Sequence, residues 1–110
     1  MAKKPTPLRD ALAERIRVVL DGWTVREVPM FGGLSFMVDE RLAVSAGREG
    51  NLLVRVDPDR YDELVERPGA SEAIMGQRTM APNWLVVDAD ALASDEALAD
   101  WVTVGLEAPA

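Results

Sequence analysis

Very few residue types in this chain could do chemistry. There is no cysteine and no histidine. That removes thiol nucleophiles, disulfides, Cys-bearing zinc sites, the imidazole base of a Ser-His-Asp triad and a histidine pH switch. Carboxylates are plentiful. Asp88, Asp90, Asp95 and Glu96 are close enough to suggest a Ca²⁺ or Mg²⁺ loop, but Leu92 and Ala93 occupy the fifth and sixth positions of the Asp-x-Asp-x-Asp-Gly template. Asp57, Asp59, Asp62, Glu63 and Glu66 fail in the same way, with Asp57 suited to capping a helix and the others to a solvated face. Paired carboxylates acting as acid and base need a raised pKa near neutrality, and nothing in the spacing signals one. Gly32-Gly33 could cradle a phosphate. It lacks the following lysine of a P-loop and the spacing of a dinucleotide fingerprint, so a bulge or positive-φ link before the next strand is the simpler reading. The expectation is no catalytic residue, no metal and no cofactor.

The remaining candidates are binding residues. Lys3, Lys4, Arg9, Arg15 and Arg17 could form a basic patch, set against snorkelling stems and local ion pairs on a helix. Residues 1–56 carry a net +2 and residues 57–110 a net −9, for −7 overall. An acidic half repels phosphate backbones, so direct nucleic-acid binding is not expected. Trp23, Trp84, Trp101, Phe31 and Met80 could line a groove or interface. Large aromatics are equally the ordinary core of a small domain, and Trp84 and Trp101 are expected there. Phe31 and Met80, beside glycine and proline, stay open between core and contact surface.

These residues must be positioned by elements whose pattern is plain. Thr6 and Pro7 form an N-cap and first-turn pair, and Leu8, Ala11, Leu12, Ile16, Val19 and Leu20 make one apolar stripe of a helix ending near Gly22. The period then becomes two. Strands are expected over Trp23–Val28, Leu34–Val38, Leu42–Ala46 and Leu52–Val56, with Pro29 disturbing the first ladder. Asp39-Glu40-Arg41 and Gly47–Asn51 are the hairpin links, the first without the usual Gly or Asn. Asp57-Pro58 opens a short helix to about Glu66, with Tyr61, Leu64 and Val65 inward. Residues 70–81 are ambiguous and Trp84–Val87 is a strand. Ser94 caps a last helix with Asp95 and Glu96 in its first turn and Ala97, Leu98, Trp101, Val102 and Leu106 inward.

The order α-β-β-β-β-α-(β)-β-α predicts a two-layer α+β fold, its mainly antiparallel sheet covered by helices on one face. At 110 residues the chain is one domain, with residues 1–5 a flexible tail. No apolar run is long enough to span a membrane, no signal-peptide core follows Lys3-Lys4, and the expected compartment is the cytoplasm.

Met30-Phe31-Gly32-Gly33-Leu34-Ser35-Phe36 before a hairpin resembles the opening motif of the TfoX N-terminal domain family. Leu53-Val54-Arg55-Val56-Asp57, Gln77-Arg78-Thr79-Met80 ahead of Trp84, and Asp95–Trp101 are similar to its later elements, over roughly residues 8–107. Gln77-Arg78-Thr79-Met80 departs from the family's usual Gly-Arg-Pro-Met. The resemblance implies a small bacterial cytoplasmic domain of secretion-chaperone-like fold, with no catalytic residues to transfer. Full-length members regulate natural competence and carry an additional C-terminal domain, for which no room is expected before Ala110, so the competence role is not carried over whole. The leading expectation is a non-enzymatic protein-interaction or regulatory module with an unknown protein partner, expected to form a homodimer that hides outward Met37 and Leu53. Its candidate contact residues are Met30, Phe31, Gly32, Gly33, Met80, Trp84 and Trp101. The alternatives are a small-molecule-binding or enzymatic domain with a pocket between sheet and helices, and a nucleic-acid-linked transcription or competence regulator.

Overall fold

A computed structural model describes residues 6–30 and 32–109. Helix α1 spans Pro7–Val19. Thr6 stands at its N-cap, but the side chain caps no backbone amide; its carbonyl accepts from Asp10 N at 2.9 Å. The buried stripe is Leu12, Ala13, Ile16 and Leu20, while Leu8 is exposed. The expected stripe is thus rotated: Leu8 and Ala11 point out, and Ala13, small enough for close helix packing, points in.

Four strands follow as consecutive antiparallel hairpins: β1 Val25–Met30, β2 Gly33–Val38, β3 Arg41–Ala46 and β4 Leu52–Arg55. Trp23 falls outside β1, and Pro29 lies within it, paired with Leu34. Proline is tolerated there because β1 is a sheet edge, where a missing N–H costs no ladder bond. Asp39 and Glu40 form the two-residue β2–β3 link with φ of 51° and 67°. Both dihedrals have the signs of a type I′ turn, built without glycine or asparagine. Phe36 faces Val44 but Met37 faces Leu42, so Ala43 is an extra, buried residue in a β-bulge.

Asp57 accepts a hydrogen bond from Asp59 N and opens a 3-10 turn, Pro58–Arg60, which runs into α2, Tyr61–Val65. Residues 70–81, ambiguous from sequence, hold three short strands: β5 Ala70–Glu72, β6 Ile74–Met75 and β7 Arg78–Thr79. β8, Trp84–Val87, then inserts between β4 and β5, giving sheet order β1-β2-β3-β4-β8-β5 with every pairing antiparallel. Composition accounts for the placement. Trp-Leu-Val-Val is apolar on both faces and takes an interior position, whereas three-residue β5, with Ser71 and Glu72, makes a short polar edge. β6 and β7 pair only with each other, as an arm projecting from the β5–β8 connection.

Helix α3, Asp95–Glu107, is capped by Ser94 Oγ accepting from Ala97 N at 3.0 Å. Leu98, Trp101, Val102, Val104 and Gly105 are its buried residues. The helices cover one face of the sheet, over Phe36, Val44, Leu52, Val54, Leu85 and Val87, and α2 joins the same core through Leu64. The two-layer α+β expectation is met. No helix among the described residues is long and apolar enough to cross a membrane.

Candidate functional site

Alternation along the strands sends a second set of side chains to the face away from the helices. Ser45 pairs with Leu53, and Leu53 with Val86, so these three form a row across β3, β4 and β8. Each is small or apolar, with no charge. Ser35 adjoins Ser45, its hydroxyl donating to Ser45 Oγ at 3.1 Å, and both serines are buried. The β6–β7 arm closes over this row. Its neck is held by Met80 N donating to the Ala73 carbonyl at 2.8 Å, and its turn reverses at Gly76, φ 63°. Between arm and sheet lies a groove of about 510 Å³, floored by Ser45, Leu53 and Val86 and walled by Ala73, Ile74, Met75 and Met80. Gly33, Gly47 and Asn51 complete one end.

The Met-Phe-Gly-Gly segment reaches this groove at its last residue. Gly32 has φ 76°, and a Cβ on Gly33 would stand 2.4 Å from the Ala46 carbonyl oxygen. Only glycine lets β2 and β3 approach that closely at the rim. Met30 is half-buried at the end of edge strand β1, cross-strand from Gly33. Phe31 lies outside the described residues.

The structure therefore brings Gly33 and Met80 to one groove, with Gly32 and Met30 beside Gly33, and leaves Trp84 and Trp101 out of its lining. Trp101 is 5% exposed and belongs to the helix-side core, with the Arg67 guanidinium 5.4 Å from its ring centroid. Trp84, expected in the core, is half-buried on the opposite face under Arg55, whose guanidinium is 5.9 Å from the ring. The register decides this: Leu85 and Val87 occupy the inward positions of β8, so Trp84 and Val86 must face out. Trp23, in the turn before β1, is 49% exposed. It shares a small crevice of about 30 Å³ with Leu42, and Leu42 is cross-strand from half-buried Met37.

The basic residues of α1 are engaged locally. Arg15 donates to the Leu92 carbonyl at 2.8 Å and reaches Asp95, Arg9 pairs with Asp10, and Arg17 grips Glu27 of β1 at 2.7 and 2.8 Å. The Arg17 hydrogen bond holds the Glu27 carboxyl below its ordinary pKa and raises that of Arg17. Burial, followed by the Glu72 and Asp62 charges, raises the Tyr61 phenol. None of these groups is part of the groove lining, which carries no acid, base or guanidinium. Among the described residues no three carboxylates are grouped to hold a metal ion.

The arm was not foreseen, and Ala73, Ile74, Met75, Asn51 and Val86 were missed with it. One signal was present. Leu52-Leu53 and Val86-Val87 are apolar at both inward and outward positions, as in strands covered on both faces. This groove also lies opposite the helices, not between sheet and helices as the small-molecule reading expects.

Comparison with known proteins gave no significant match among curated proteins or solved structures. The family model of the TfoX N-terminal domain matches residues 21–108, a span that starts after α1 and takes in the whole sheet, the arm and α3. The chain belongs to the TfoX N-terminal domain family.

Proposed function

We propose that this domain is a non-catalytic contact module that acts by binding proteins, with a second copy of itself as its first partner. The observation that carries this reading is Trp23, 49% exposed in the turn before β1, where it shares a crevice with half-buried Leu42. Tryptophan is enriched among the few residues that dominate interface energies, and a large apolar side chain in water gains by being covered. Leu53 drops out of the contact, because the arm already half-covers it as groove floor. Met37 and Leu42 remain at the end of the sheet that the arm does not reach. A two-fold pairing would set the same patch against itself.

A binding role is also supported by the groove, whose one side-chain hydroxyl, on Ser45, is engaged with Ser35. No base stands beside it to activate it. A cysteine-free chain is suited to a bacterial cytoplasm, where we place it. Sedimentation equilibrium tests the reading. The mass should rise from 12.0 kDa towards twice that value with concentration, and Trp23→Ala should stay at 12.0 kDa with an unchanged circular-dichroism spectrum. A wild-type protein that remains at 12.0 kDa throughout overturns it.

A further inference from the structure

We propose that the groove beneath the β6–β7 arm binds a free, single-chain amphipathic carboxylate, its apolar chain on the Leu53–Val86 floor and its carboxylate held by Arg48 and Arg78 at the rim. The volume, about 510 Å³, falls within the roughly 300–1,000 Å³ typical of small-ligand sites. Its lining has no charged side chain in a protein that is 28% charged, so the interior suits hydrocarbon. Two methionines, Met75 and Met80, form part of the wall. Their unbranched, polarizable side chains adapt to a flexible chain better than branched ones do. Ile74 and Met75 line the groove yet are 62% and 41% exposed, so an occupant would remove apolar surface from water on the arm as well as on the floor.

The head group follows from charge. Most arginines here are committed: Arg9, Arg15, Arg17, Arg26 and Arg60 to carboxylates, Arg55 and Arg67 to tryptophan rings. Among the described residues Arg41, Arg48 and Arg78 have no such partner, although the chain carries nineteen acids. Two of these three adjoin residues that line the groove. Arg78 is cross-strand from Met75 and shares its face of the arm. Arg48 follows Gly47, and its Cδ lies 3.7 Å from where a Cβ on Gly32 would be, beside Gly33 at the rim. An uncharged trough with unpaired guanidinium groups at its edge complements a carboxylate on a hydrocarbon chain.

Titration calorimetry with decanoate, below its micelle concentration, tests the proposal independently of the self-association proposed above. One decanoate should bind per chain, in both the wild type and Trp23→Ala. The Arg48→Ala/Arg78→Ala double variant should bind decanoate about tenfold more weakly, the loss expected for a charge-assisted hydrogen bond, while its affinity for uncharged 1-decanol stays the same. Met75→Asp, 41% exposed on the arm, should weaken both probes with an unchanged circular-dichroism spectrum. The proposal is overturned if neither wild type nor Trp23→Ala binds decanoate. It is also overturned if 1-decanol binds the wild type as tightly as decanoate does, or if Met75→Asp binds decanoate unchanged.

Discussion

Replacing Gly105 by alanine should destabilise this protein, although the same change in an exposed helix stabilises. In a helix interior alanine is favoured over glycine by about 0.8–1.0 kcal/mol. Gly105 lies in the last part of α3, directly over the β3 bulge. A Cβ there would stand 2.6 Å from the Ala43 carbonyl oxygen, 3.2 Å from its carbon and 3.0 Å from Val44 Cγ1. The obstacle is mostly sheet backbone, which cannot rotate away. The helix must lift instead, and Leu98, Trp101, Val102 and Val104 ride on it. A gap of about 0.5–1 Å forfeits a quarter to a half of each dispersion contact. Overpacking of this kind costs about 1–3 kcal/mol. Set against the propensity gain, the net loss is about 1 kcal/mol at the middle of that range and about 2 kcal/mol at its top, so the Tm should fall by roughly 4–8 °C at the middle value for a domain of this size. Urea unfolding followed by circular dichroism measures it, with the slope unchanged. Thr103→Ala, at an exposed site of the same helix, is the control and should be neutral or slightly stabilising. If Gly105→Ala proves as stable as the wild type or more so, α3 does not sit on β3 as closely as described.

Three further outcomes follow from local geometry. Installing Asn-Gly by Asp39→Asn/Glu40→Gly relieves two positive-φ residues at the expense of the exposed Arg26–Glu40 ion pair; it should raise stability by about 1 kcal/mol, read as a higher Tm. Ser94→Ala removes the acceptor for Ala97 N and should cost about 1 kcal/mol in chemical denaturation. Glu27 has a folded-state pKa below its unfolded one, so its contribution is present above the unfolded value of about 4.3 and is lost as pH falls through the lower folded value. Because the Arg17 pair is partly exposed, Glu27→Gln should cost less than about 1 kcal/mol at pH 7, and the difference from wild type should vanish in acid. A difference that persists at pH 2 would contradict the pairing.

The sequence by itself determined whatever neighbouring residues decide. Periods of three to four and of two located α1, α3 and the hairpin strands, and Asp57 and Ser94 announced their helix starts because a cap acts within three residues of itself. The uneven charge and the lack of cysteine and histidine narrowed the chemistry before any fold was known. Tertiary structure alone decided how close and in what order these pieces meet. β8 inserts between β4 and β5, so Leu53 gains Val86 as a neighbour more than thirty positions along the chain. The β6–β7 arm then covers that pair, and an outward leucine becomes the floor of a groove. Pro29 is harmless only because its strand ended up at an edge, Trp84 faces out because the β8 register gave the core to Leu85 and Val87, and Gly105 is indispensable only because Ala43 bulges beneath it. Propensity and capping are properties of a few adjacent residues; register, strand order and approach distance depend on residues far apart, whose contacts form only when the whole sheet closes.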